Sequence, residues 1–205
     1  MAFNRRRFIQ ATGAGLGAST LGFPAIVRAQ GAPIRLGLMT VKTGPLASGG
    51  LDMERALIMY LRERNNSLAG RKIELFVADS GGNPAQAKSK TQELVEKDRI
   101  NVMIGPLAAG EALATDDYIR QQSLPTLSVA AAEDMTQRKP NPWFVRGTST
   151  SAQCAHPLAD YCYKTLKYRR MVVIADDIPY GHEMCAGFQR VFEELGGKIV
   201  QKMFP

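Results

Sequence analysis

The residue types that carry covalent or metal chemistry are sparse in this chain and badly spaced for it. His156 and His182 are the only histidines in 205 residues. His182 and Cys185 leave a two-residue gap, but no second pair of that kind accompanies them, so the four-ligand set of a zinc site is missing. No Gly-x-Ser-x-Gly places a nucleophilic serine. Glycines 44, 49 and 50 do not spell a dinucleotide fingerprint, and no phosphate-cradling Gly-x4-Gly-Lys-Ser/Thr occurs. The three cysteines, Cys154, Cys162 and Cys185, are odd in number. Cys154 and Cys162 lie eight apart on one predicted helix, about 12 Å along its axis, too far to bridge. A pair involving Cys185 stays open, and small buried side chains are the plainer reading. No catalytic residue, metal ligand or cofactor is expected.

What the chain offers instead is backbone chemistry. Residues 40–50, 107–110 and 130–132 are loops of small residues, each following an apolar run. Small side chains let a ligand approach the main-chain N–H groups. The start of a following helix favours an anion there. The central stretch, residues 100–134, shows the arrangement. Val102, Met103 and Ile104 read as a buried strand stopped by Gly105-Pro106. A helix follows over about residues 111–122, then a second buried strand over 124–129. Two strands joined by a helix make a parallel crossover, and both small loops then leave the carboxyl ends of adjacent strands. In an open α/β sheet ligands bind at that edge.

The same alternation runs through the rest. Strands are predicted at 34–39, 73–78, 143–146, 171–175 and 198–203. Helices are predicted at 51–65, 84–97, 152–166 and 182–195. Asn83-Pro84 carries a helix-start signal, and residues 66–70 read as a turn. Asp79 reads as a turn and capping residue, and residues 176–181 as a loop. Strands alternating with helices predict an α/β fold of doubly wound parallel sheets. The second unit offers two strands at most, and two strands do not bury two faces. The expected division is residues 30–150 as a first, Rossmann-like lobe and 151–205 as the start of a second, incomplete lobe. The expectation is the front part of a longer two-lobe protein or the product of a truncated gene.

Ile104-Gly105-Pro106 with its small loop, then Leu124-Pro125-Thr126 running into Ser128 and Ala130 to Ala132, resembles the branched-chain amino acid type of extracytoplasmic solute-binding protein. The resemblance extends over residues 33–205. It implies a two-lobe type I periplasmic binding fold, leucine-binding-protein-like, serving the membrane permease of an ABC importer. It implies a ligand site at Ala109, Gly110, Ala130, Ala132 and Tyr180. Members that bind α-amino acids place a serine and a threonine at the positions matching Ala109 and Ala132. Both are alanine here, so two hydroxyl donors to a carboxylate are missing. A less polar carboxylate, such as an aromatic acid, fits at least as well as a branched-chain amino acid. Tyr180 matches the family's aromatic cover on the second lobe; a half-buried turn tyrosine is the plain alternative. Asp176 and Asp177 are candidates for holding a ligand ammonium, with capping as their simpler role. A ligand sensor of the same fold coupled to a regulator, and a non-functional remnant, are the other readings.

At the N-terminus, Arg5, Arg6 and Arg7 precede Phe8 and Ile9, which resembles a twin-arginine export signal. An apolar Gly/Ala-rich segment follows, and Val27-Arg28-Ala29 suits cleavage after Ala29. The expected location is the periplasm. The formal charge is +7, but the first 30 residues hold four arginines and no acid, so the remainder carries +3. That small excess gives no reason to expect a nucleic-acid partner. With 45% hydrophobic and 22% charged residues, the chain has globular composition, not the profile of disorder.

Overall fold

β1 (Ile34–Thr40) is the strand on which the fold is built: its last five residues are buried, as in a strand covered on both faces. The computed structural model describes residues 31–205. The proposed export signal therefore lies outside the described residues. After β1 come α1 (Ala47–Glu63), β2 (Ser67–Leu68), β3 (Arg71–Asp79), α2 (Pro84–Glu96), β4 (Val102–Ile104), α3 (Ala109–Gln122), β5 (Thr126–Ser128) and β6 (Phe144–Arg146). Then follow α4 (Ser151–Lys164), β7 (Arg170–Ile174), α5 (Pro179–Glu194) and β8 (Lys198–Met203). The architecture is mixed α/β, as the alternation predicts.

Two sheets form. The larger has the order β2-β3-β1-β4-β5-β6, and the smaller pairs β7 with β8. Every pairing is parallel except β2 with β3. Register fixes the ligand edge: Thr40 lies opposite Asp79, Leu38 opposite Ile104, and Ile104 opposite Leu127. The carboxyl ends of β1, β3, β4 and β5 therefore lie side by side.

The core of the larger sheet includes Met39, Leu94, Met103, Ile119, Leu124, Met135 and Phe144. Gly105 has φ +102°, and a side chain there would collide with the carbonyl oxygen of Met39. Only glycine lets β4 leave the sheet against the end of β1. A second, smaller core joins Ala155, Ala159, Cys162, Phe188 and Phe192 of α4 and α5, with Met171, Val173 and Ile199 of the small sheet packed on it. The other face of that sheet is bare: Val172, Ile174 and Val200 are 49%, 66% and 42% exposed.

Several boundaries differ from those the sequence predicts, four of them for a visible reason or with a consequence for the site. Asn65 and Asn66 adopt left-handed φ values of 52° and 49°, turning the chain back so that Ser67 and Leu68 pair with Lys72 and Arg71. The predicted turn at 66–70 thus holds a short strand. α1 begins four residues earlier than the apolar spacing predicts, at Ala47. Its first turn takes in two glycines and is anchored by the Thr40 hydroxyl, which donates to the Gly50 carbonyl at 2.9 Å. The strand expected over 124–129 contracts to Thr126–Ser128. Pro179, preset for a first helical position, starts α5 inside the predicted 176–181 loop.

Among the cysteines, Cys162 and Cys185 are buried but Cys154 is exposed, and all three are free thiols. The expectation of small buried residues therefore fails at Cys154, where the Ser149 hydroxyl lies 3.1 Å from the thiol. No helix among the described residues is long and apolar enough to cross a membrane.

Candidate functional site

Three loops meet along the carboxyl edge of the larger sheet, and hydrogen bonds fasten the first to the end of β3 and the second to the third. The first, after β1, is fastened to the end of β3. Asp79 accepts from the amides of Lys42 and Gly81, both at 2.8 Å, and from the Thr43 hydroxyl at 3.0 Å. Burial pushes the Asp79 carboxyl up, but these three bonds outweigh it and hold it below the usual carboxylate range. Asn83 accepts from the amides of Ala85 and Gln86 and caps α2 as its sequence signal predicts. The second and third loops are joined by Ser128. Its hydroxyl donates to the Pro106 carbonyl at 2.6 Å and accepts from the Ala130 amide at 2.9 Å.

Ala109 and Gly110 are the first two residues of α3. First-turn amides have no acceptor within a helix, and Ala108 at the cap carries no side-chain oxygen. Among the described residues nothing accepts from Ala109 N–H or Gly110 N–H. Beneath them lies Glu111, fully buried. Its carboxylate accepts from the Ala108 amide at 3.1 Å and from the Ser80 hydroxyl at 2.5 Å. A carboxyl group of the protein's own is thus already set at this helix start.

Pro179 approaches the same point from the smaller sheet: its ring lies about 3.9 Å from where a Gly110 side chain would begin. α5 also has an uncapped N-terminus, with Ile178 at the cap and Pro179 first. Two uncapped helix starts therefore converge, and both present partial positive charge.

The remaining expected residues are placed less directly. Ala130 and Ala132 are completely buried. The Ala130 amide is taken by Ser128, and the Ala130 and Ala132 carbonyls accept from Arg146, the former at 3.4 Å. The expectation that Ala130 offers its amide to a ligand is therefore not met by this hydrogen bonding. Tyr180 belongs to the first turn of α5 and is 39% exposed. Its side chain lines an apolar groove of about 490 Å³ with Ile174, Ile178 and Met184, a different surface from that of Ala109. Asp177 pairs with His182 at 2.6 Å, and the Asp176 carbonyl accepts from the Ile178 amide. No group of three metal-ligating side chains occurs among the described residues.

Sequence reasoning missed the roles of Glu111, Ser128 and Arg146, naming Ser128 only as part of a motif. A faint signal existed for the first. Glutamate three residues after a helix cap is half of a capping box, and alanine at the cap hides it. Arg146 ends β6 and turns one nitrogen onto the 130–132 loop. Burial pulls its guanidinium below the ordinary range, opposed by the carboxylates of Glu183 and Glu133.

An open parallel α/β sheet with small-residue loops along its carboxyl edge, and a second parallel unit packed against them, is an arrangement that binds ligands at that edge. The chain belongs to the periplasmic binding protein family, whose model matches residues 33–205. It is 36% identical to an ABC transporter substrate-binding protein from Sphaerobacter thermophilus, with a TM-score of 0.75 over 84% of this chain and 47% of that one. It is 28% identical to a solute-binding protein of an ABC transporter from Rhodopseudomonas palustris solved with 3,4-dihydroxybenzoic acid. That match has a TM-score of 0.77 and covers 84% of this chain and 47% of that one. Among curated relatives it is 29% identical to the Leu/Ile/Val-binding protein BraC3 of Rhizobium johnstonii, over 80% of this chain and 45% of that one. The chain spans about half the length of the curated relatives it matches. The family is one of periplasmic binding proteins, and these two structural neighbours are substrate- or solute-binding proteins of ABC transporters.

Proposed function

We propose that this chain supplies the solute-docking face of an extracytoplasmic receptor for an ABC importer. It takes a small carboxylate between a first lobe, residues 30–150, and a second that starts at 151. The observation that carries the reading is the convergence of two uncapped helix starts, α3 at Ala109 and α5 at Pro179. The α3 start offers the unpaired amides of Ala109 and Gly110, and the partial positive charge of both helix starts favours a carboxylate nearby. Ala109, Gly110, Ala130, Ala132 and Tyr180 form the solute-contacting set. Ala109 and Gly110 act through their amides. Ala130 and Ala132 shape the wall, and Tyr180, whose ring lines the separate apolar groove here, acts as a cover when the second lobe turns. Residues 1–29 are the export signal, the location is the periplasm, and the partner is a membrane permease.

The proposed solute class is an aromatic carboxylate ahead of a branched-chain amino acid. Alanine at 109 and 132 removes two hydroxyl donors to a carboxylate and leaves a less polar wall, which suits an arene better than an aliphatic zwitterion. Relatives solved with 3,4-dihydroxybenzoic acid and with 4-hydroxybenzoate, 28% and 26% identical, support that order. Thermal unfolding of the mature chain against benzoate, 4-hydroxybenzoate and leucine tests it. A ligand at 100 times its dissociation constant stabilises by about 2.7 kcal/mol. The expected result is an upward shift with the benzoates that exceeds that with leucine. A shift with leucine alone reverses the order, and a transition blind to all three removes the receptor reading from this chain.

A further inference from the structure

We propose that Glu183 is a positioning residue that clamps the smaller unit onto the solute loops and so sets how much of the receptor is closed before any solute arrives. The inference rests on the solute-capture reading above. Glu183 lies in the second turn of α5, three residues after Tyr180. Its two carboxylate oxygens accept from one amide, that of Glu133, at 3.1 and 3.2 Å. Glu133 directly follows Ala132 on the third loop of the larger sheet. The clamp therefore joins the two segments that carry the proposed site, yet it touches neither Ala109 nor Gly110.

The surroundings are built for that contact. Arg138 donates to Glu183 at 3.2 Å and to Glu133 at 3.3 Å, and it also grips Asp134. The Glu133 carboxylate accepts from the Thr150 hydroxyl at 3.0 Å, and Thr150 caps α4. Arg146 holds the loop from behind through the carbonyls of Ala130 and Ala132. Both Glu133 and Glu183 side chains are largely buried. A buried carboxylate stripped of its donors is costly, so the contact is stable only as a complete set. A cleft of about 520 Å³ lined by Glu133, Arg138, Glu183 and Arg190 adjoins it. When the units part, water from that cleft can take over the bonds. The clamp thus has two satisfied arrangements, with protein partners when closed and with water when open.

A bond made only in the closed form shifts population toward that form without touching solute. Apparent affinity then scales with the closed fraction. Glu183→Gln keeps an oxygen for the Glu133 amide but loses the charge that Arg138 needs; Glu183→Ala loses both.

Hydrogen exchange in solute-free protein, with calorimetric titration of 4-hydroxybenzoate, benzoate and leucine, tests this. The expected exchange at the Glu133 amide and over 179–183 is slowest in the wild type, faster in Glu183→Gln and fastest in Glu183→Ala. Exchange in the α4–α5 core around Ala159 and Phe192 stays unchanged. The bound solute is expected to weaken in the same order, about tenfold for Glu183→Ala. Equal exchange at Glu133 in all three proteins overturns the clamp. Faster exchange with unchanged affinity overturns its control of closure, and faster exchange throughout the α4–α5 core reduces Glu183 to a fold-stabilising role. If no probe binds the wild type, the solute reading fails separately, and the clamp is then judged on local exchange alone.

Discussion

At the scale of the residue, the two alanines at 109 and 132 say most about the solute. Ala109→Ser adds one hydroxyl beside the unpaired amides of α3. A new hydrogen bond to a carboxylate is worth about 1 kcal/mol net. Leucine and benzoate share that carboxylate, so both are expected to bind several-fold more tightly to the variant by calorimetry. Asp79 is a second residue whose role is measurable. Its carboxyl is held below the ordinary value, so its contribution to stability is present above about pH 4 and fades as pH falls through the lowered value. Asp79→Asn is expected to lower the denaturation midpoint near pH 7, with the difference from the wild type shrinking as pH falls through the lowered value. A constant difference across that range would show that the amide replaces all of its bonds.

At the scale of the element, most of the fold was legible because most elements are long and periodic. β1, α2, β3, α4 and β8 fall where hydrophobic spacing and the Asn83-Pro84 signal place them. The site was legible only as a location. Small residues after β4 and β5 mark a ligand edge, but spacing does not reveal that Ser128 joins the two loops or that the Ala130 amide is consumed in doing so. Such side-chain bonds depend on register between β4 and β5, a property of the assembled sheet. Tyr180 was read from loop to helix for the same kind of reason. Pro179 marks a helix start, while Gly181 two residues later reads as a turn. The crossing of α4 and α5 is another assembled feature. Gly187 brings the helices so close that a methyl there would lie 2.6 Å from the Ala152 backbone. Gly187→Ala is expected to cost about 1–3 kcal/mol in urea unfolding, the range for overpacking a dense contact. Affinity is expected to fall with it if α5 shifts.

At the scale of the whole molecule, the two sheets are unequally finished. The larger has a connected core. The smaller is covered by α4 and α5 on one face and leaves Val172, Ile174 and Val200 open on the other. Parallel sheets are ordinarily covered on both faces, and unpaired strand edges invite pairing. The chain alone is therefore expected to self-associate with rising concentration, seen by sedimentation velocity. Lysine at both 172 and 174 is expected to suppress that association while leaving the larger sheet intact. The two-stranded unit also sets where the molecule yields first. With one neighbour per strand, β7 and β8 are the part that opens without disturbing the rest. Arg169, Arg170, Lys198 and Lys202 are all exposed along these strands. A trypsin-like protease meeting the receptor would trim it from this side, leaving a resistant fragment that ends near residue 170 and still carries Ala109, Gly110 and the loops around them.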